Sequence, residues 1–189
     1  MVLELAVAYQ NGRALTDEIE RVSGVRVDNC YQCGKCTAGC PLSFAMDLGP
    51  RQIMRLLQLG LGEEALRAHA PWLCAGCLAC AVRCPQGVEV ARVMEALRIL
   101  AKERGPVPER QVDLFGDLFL ASVARYGRVD ELGLSVRYNL GSGRWFKDAA
   151  LAPALFRHGK VRLRPAAIAG HGAIKEIFNR CRRRGGLAR

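Results

Sequence analysis

Histidine and aromatic residues are scarce here: 189 residues contain three His and only 6% Phe, Trp and Tyr. His69, His158 and His171 are not placed to complete zinc sites of the Cys-and-His kind. No stretch reaches the 18 continuous apolar residues of a membrane span. The first residues hold no basic run, and Glu4 interrupts their one apolar stretch, so a signal peptide is not expected. These absences lead to the expectation of a soluble, cytoplasmic protein. Acidic residues are the minority, 18 against 28 Lys and Arg, for a net charge of +10. No titratable pair marks proton transfer, nucleophilic attack or phosphate binding, so no catalytic residue is expected. Two cysteines are nowhere adjacent.

Cysteine itself is abundant and ordered. Cys30-x2-Cys33-x2-Cys36-x3-Cys40-Pro41 recurs as Cys74-x2-Cys77-x2-Cys80-x3-Cys84-Pro85, which uses eight of the nine cysteines. That is the spacing of bacterial-type iron–sulfur proteins with two clusters. Disulfides are the weaker reading, because a chain of this length builds its own core and needs no staples. Zinc is also weaker, since it takes separated Cys pairs rather than a third and fourth Cys in one run. The favoured reading is two 4Fe-4S clusters with exchanged fourth ligands. Cys30, Cys33, Cys36 and Cys84 would hold one; Cys74, Cys77, Cys80 and Cys40 the other. Gly34 and Gly76 sit inside the loops, where backbone N–H groups can approach sulfur. Pro41 and Pro85 turn the chain away after the last ligand or simply punctuate it.

Charge is uneven. From Arg157 to Arg189 there are ten Lys or Arg against the single Glu176, so a balance of +9 lies in this tail. Docking to an acidic partner is favoured over plain solubility. Nucleic-acid binding is disfavoured, because only Phe178 offers a stacking platform.

Hydrophobic periodicity points to a mainly α architecture. Thr16 before Asp17 and Glu18 reads as the N-cap of a short helix ending at Gly24. Ile53 to Gly60 and Glu63 to Ala70 read as two helices between the cysteine runs, and Val90 to Leu100 as one after them. Past the Gly105-Pro106-Pro108 break come patterns at Val112–Tyr126, Leu132–Leu140, Leu151–Phe156 and Ile174–Cys181. Strands are expected at most over Val2–Ala8 and Val161–Leu163. Cys181 completes an i, i+3, i+4, i+7 stripe with Ile174, Ile177 and Phe178 and is expected in the core. Three regions follow: 1–24 with a short helix, 25–104 as an α-helical, ferredoxin-like two-cluster domain, and 105–189 as a basic, α-helical docking extension.

The residues around the cysteines are more specific. Cys30-Tyr31-Gln32-Cys33-Gly34-Lys35-Cys36-Thr37-Ala38-Gly39-Cys40-Pro41, with Met46-Asp47 and Pro50-Arg51, resembles the C subunit of heterodisulfide reductase. The second run from Trp72 to Val88, Gly127-Arg128-Val129 with Glu131-Leu132-Gly133, and Gly159 to Phe178 extend the likeness. The cysteine spacing alone is shared with fumarate reductase and glycolate oxidase iron–sulfur subunits.

The resemblance implies an electron-relay subunit of an oxidoreductase that hands single electrons from a flavin-containing A-type subunit to a B-type subunit. The B-type subunit, with its Cys-Cys-Gly motifs, would reduce the disulfide. This chain has no Cys-Cys pair, so the substrate chemistry is expected on the partner. It also lacks the membrane cytochrome segment fused to some relatives. Lys35, Arg51 and Arg83 near the runs could steer a partner or raise a potential, though solvated charge is the commoner role. Trp72 before Cys74 would shield a cluster or simply pack. The alternatives are a free-standing two-cluster ferredoxin, a subunit of another oxidoreductase, and a cluster-bearing nucleic-acid module.

Overall fold

The computed structural model describes residues 5–144, 152–158 and 167–185. Among these residues every regular element is helical, and none is long and apolar enough to cross a membrane. Contacts divide the chain into two units, Met1–Glu109 and Arg110–Arg189.

In the first unit, α1 (Leu5–Ser23) packs on α4 (Gly62–Arg67) and α7 (Val90–Arg104). The core between them is aliphatic: Ile19, Ile53, Leu57, Val93 and Leu97 are fully buried. Leu15 and Ile19, four residues apart on α1, belong to this core, so the N-terminal helix is part of the cysteine-bearing unit. Two short helices, α2 (Lys35–Ala38) and α6 (Ala79–Val82), lie within the cysteine runs and pack against each other. Between the runs come α3 (Pro50–Gln58) and α5 (Ala70–Leu73).

The expected short helix beginning at Thr16 is corrected: the helix is already formed at Leu5, which also replaces the expected strand over the described part of Val2–Ala8. Thr16 is buried mid-helix, and its hydroxyl bonds the carbonyls of Gly12 (3.3 Å) and Leu57 (3.2 Å). Gly12 allows a close crossing, since a Cβ there would sit 1.6 Å from the Gly60 carbonyl oxygen. Gly12 is therefore a contact point between α1 and the chain just past α3.

The expected helix from Glu63 to Ala70 is broken at Ala68, which is extended. Asp47 explains the restart: its carboxylate accepts the N–H groups of His69 and Ala70, both at 2.9 Å, and caps α5 from across the fold. α7 runs on to Arg104 and stops at Gly105 in the left-handed region, φ 103°. Val107 packs on the core and Glu109 contacts the His69 ring at 2.7 Å, so the first unit extends past that glycine.

The second unit holds α8 (Arg110–Tyr126), α9 (Glu131–Ser142), α10 (Ala152–Arg157) and α11 (His171–Gly185), with α8 packed on α9 and α11. Phe115 stacks edge-on with Tyr138, centroids 5.8 Å apart. Ser122 ties the α8–α9 turn by accepting the Asp130 N–H at 2.8 Å. It is also the only buried residue described in this unit; Leu114, Leu118 and Val123 are half-buried, and several apolar residues are exposed, from Phe119 at 38% to Leu140 at 56%.

Cys181 corrects the expectation of a core position: it is exposed, as is Ile177, while Ile174 and Phe178 are half-buried. An apolar stripe fixes which residues share a helix face, not whether anything covers that face. The expected Val161–Leu163 strand lies outside the described residues.

Candidate iron–sulfur site

The two cysteine runs adopt one backbone form with opposite use of glycine. In the first run, Gln32 (φ 66°) and Gly34 (φ 82°) are left-handed; in the second, Gly76 (φ 64°) and Leu78 (φ 61°) occupy the equivalent places. Each run thus turns its chain twice into a conformation that costs a side chain about 1 kcal/mol or more, and each relieves only one of the two turns with glycine. The second left-handed residue precedes α2 in one run and α6 in the other, so the third cysteine stands on a helical turn in both. The helices meet where Gly39 faces Arg83: a Cβ on Gly39 would lie 2.7 Å from the Arg83 Nη1.

This face-to-face packing mixes the runs. Cys40 of the first run lines one cavity with Cys74, Cys77 and Cys80 of the second. Its walls are apolar, with Met46, Val90 and Met94 among them. Cys84 of the second run stands near Tyr31 of the first, whose hydroxyl ionises less readily than usual. Desolvation is the first cause there, followed by the hydrogen bond to Cys33 and the neighbouring charges of Cys33, Cys84 and Cys30. No three described His, Cys, Asp or Glu side chains converge on one point as the ligands of a single ion do. Four thiols from two runs on one apolar-walled cavity suit a sulfur-ligated polynuclear centre.

Donors point at the sulfurs. The Val88 N–H reaches Cys84 Sγ at 3.2 Å and the Gln32 amide reaches Cys30 Sγ at 3.6 Å. A hydrogen bond from the Lys35 N–H, opposed by some desolvation, holds the Cys33 thiol below its ordinary pKa. Burial pushes Cys36 and Cys80, equivalent in the two runs, above theirs. The Thr37 N–H and hydroxyl oppose this at Cys36, and the Ala91 N–H does so at Cys80. Soft sulfur ligands, backbone N–H donors and an apolar wall together fit a 4Fe-4S centre.

Side chains beyond the runs hold the loops. Gln58 on α3 donates to the carbonyls of Val27 (3.0 Å) and Cys30 (2.6 Å) and accepts the Gln32 amide (3.1 Å). Glu20 accepts the Val27 N–H at 2.8 Å. The Thr37 hydroxyl accepts the Arg51 N–H at 2.9 Å, which ties α2 to the first turn of α3. Neither Gln58 nor Glu20 is legible as a site residue in the sequence, because each works across a long chain separation or a turn. Trp72 packs in the core, away from the cavity wall, and its buried indole N–H has no hydrogen-bond partner among the described residues.

Gly49 supplies a test of that tie. Its backbone (φ −67°, ψ 159°) suits any residue, so only space decides. A Cβ there would lie 2.6 Å from Thr37 Cγ2 and 2.9 Å from its hydroxyl. Gly49→Ala is expected to turn Thr37 off the Arg51 N–H and to cost about 1–3 kcal/mol. Thermal unfolding checks it; an unchanged melting temperature counts against the tie.

Comparison with known proteins agrees with this geometry. Residues 26–88 match the 4Fe-4S dicluster domain family. The iron–sulfur C subunit of a CoB–CoM heterodisulfide reductase from Methanopyrus kandleri is 43% identical over 79 residues, covering 42% of this chain and 41% of the relative. The C subunit of the H2:CoB-CoM heterodisulfide,ferredoxin reductase of Methanothermobacter thermautotrophicus is 32% identical over 93 residues, 49% of this chain and 50% of that one. A protein from Archaeoglobus profundus, named for its likeness to the heterodisulfide reductase C subunit, is 33% identical over 92 residues, 48% of this chain and 49% of its own. The chain spans about half the length of these relatives. Its cysteines and the domain match support two 4Fe-4S clusters. Over its cysteine-bearing segment this chain is therefore similar to 4Fe-4S dicluster domains and to the C subunits of heterodisulfide reductases.

Proposed function

We propose that the chain is the electron-transfer subunit of a heterodisulfide reductase-like complex, built on an α-helical ferredoxin-like domain. Cys30, Cys33, Cys36 and Cys84 ligate one cluster; Cys74, Cys77, Cys80 and Cys40 ligate the other. The observation that carries this is the mixing of the runs, with Cys40 in the cavity of the second and Cys84 beside the first. The clusters supply one-electron chemistry, and crossed ligation keeps two such centres side by side in one small unit. The chain's own residues hold the thiols, exclude water with Met46, Val90 and Met94, and set the surrounding dipoles. A flavin-containing A-type subunit is the electron source, and a Cys-Cys-Gly B-type subunit is the acceptor and disulfide reductant. The partly exposed apolar faces of α8 and α9, with the basic residues beyond Arg157, form the docking extension. We place the complex in the cytoplasm, where thiols stay reduced.

Anaerobic purification of the native protein tests this. A flavoprotein and a Cys-Cys-Gly protein are expected to co-elute in constant ratio. Elution of the chain alone with both clusters bound would favour a free-standing ferredoxin and end the subunit reading.

A further inference from the structure

Superposing the two runs by position exposes a chemical asymmetry inside their common backbone. Tyr31, Gln32, Lys35 and Thr37 of the first run face Ala75, Gly76, Ala79 and Ala81 of the second. Every polar side chain between the cysteines of the first run is replaced by a methyl group or a hydrogen atom. Three of the four act on sulfur: Gln32 on Cys30 at 3.6 Å, Tyr31 on Cys33, and Thr37 on Cys36. Gln58 accepts a hydrogen bond from the Gln32 amide at 3.1 Å and so steadies it.

The surroundings differ in the same sense. A polar groove beside the first run is lined by Asp28, Cys30, Tyr31, Gln32, Arg51, Arg55 and Gln58. Asp28 is already paired with Arg13 and Arg26. Arg51, Arg55 and Lys35 make no ion pair among the described residues. The second site is walled by Leu42, Met46, Val90, Ala91 and Met94.

Reduction adds negative charge to a centre that four thiolates already make anionic. Hydrogen bonds to sulfur and nearby cations stabilise that added charge, and an apolar wall does not. We propose that Gln32, Tyr31, Thr37 and the unpaired Arg51–Arg55 pair make the first-run site the higher-potential of the two. The second-run site is then the entry and the first-run site the collecting point, each transfer moving one electron from the former to the latter. Arg83 packs on Gly39 next to Cys40 and precedes Cys84, so it favours neither site, and it is exposed to solvent. The ordering rests on the crossed ligation proposed above.

The test uses the full-length chain, purified anaerobically with iron bound, and potentiometric titration followed by EPR. Iron for two clusters is established first; less than that overturns the ligation reading and this ordering with it. Cys77→Ser assigns the second-run signal. Two separate midpoints are expected, with the first-run signal at the higher. Gln32→Gly, which suits the left-handed backbone, and Tyr31→Phe, at an exposed position, should each lower that midpoint and leave the other in place. Gln32→Asn, which keeps the amide, should restore part of the shift. Grafting the donors with Ala75→Tyr and Gly76→Gln should raise the lower midpoint. A first-run midpoint at or below the second, or variants that move only the second-run signal, would overturn the ordering with the clusters intact.

Discussion

Cys84→Ser is expected to strip the first-run site while sparing the second, leaving about half of the bound iron. The substitution sits in the second run, so an uncrossed protein would lose its second-run centre instead. The expectation rests on two observations. Cys84 lies close enough to Tyr31 to act on its ionisation together with Cys30 and Cys33. The cavity that gathers Cys74, Cys77 and Cys80 takes Cys40 as its fourth thiol and not Cys84. Serine loses the soft thiolate and weakens the bond donated by the Val88 N–H, now 3.2 Å from sulfur. Cys40→Ser should give the mirror result, with the second-run EPR signal lost and the first retained. Because serine oxygen can bind iron weakly, Cys84→Ala and Cys40→Ala complete the set. Iron analysis and EPR read the outcome, and a pattern with the two sites exchanged would falsify the crossover.

What makes this test clean is the near-symmetry of the domain. α2 and α6 meet through Gly39 and Arg83, residues at the same place in their runs. The two runs are therefore two halves of one unit, and on the proposed crossed ligation each contributes its last cysteine to the other half. Removing either last cysteine strikes a site whose other three ligands remain on an intact loop.

The sequence already carried the cysteine pattern, the helical character of the spacer, and α3, α7, α8 and α9 to within a few residues, because their apolar positions recur at helical spacing and glycine or proline closes them. It failed at α1 for a physical reason. Thr16 ahead of Asp17 and Glu18 obeys the local rule for a cap, but the close approach of Gly60 to Gly12 and the bond from Thr16 to Leu57 hold it mid-helix. Asp47 was visible as part of a family pattern, yet its capping of α5 joins residues more than twenty positions apart. Cys181 was assigned to a core that the described residues do not form. The contrast of Tyr31, Gln32 and Thr37 with Ala75, Gly76 and Ala81 lay in plain view. It gained meaning only when the two loops proved to share left-handed turns and to place the first-run side chains on sulfur.

Helix α7 allows stability and site environment to be changed separately. Leu97 is fully buried and belongs to the core that also holds Ile19 and Leu66, whereas Met94, one turn earlier, forms part of the second-run cavity wall. Leu97→Ala removes three heavy atoms from a packed core and is expected to cost about 2–5 kcal/mol. For a unit of roughly 100 residues each kcal/mol lowers the melting temperature by about 4–8 °C, so a drop on the order of 10–30 °C is expected. Both EPR signals should survive at low temperature, because Leu97 is absent from the cavity wall. Met94→Gln keeps the side chain's length and places an amide in the wall beside Cys74 and Cys80. It should cost less stability, about 1–3 kcal/mol, and alter the second-run signal alone. Thermal unfolding and EPR on both variants separate the effects. If Leu97→Ala leaves the melting temperature unchanged, α7 does not anchor the unit; if Met94→Gln leaves the second-run signal unchanged, the apolar wall does not set that site's environment.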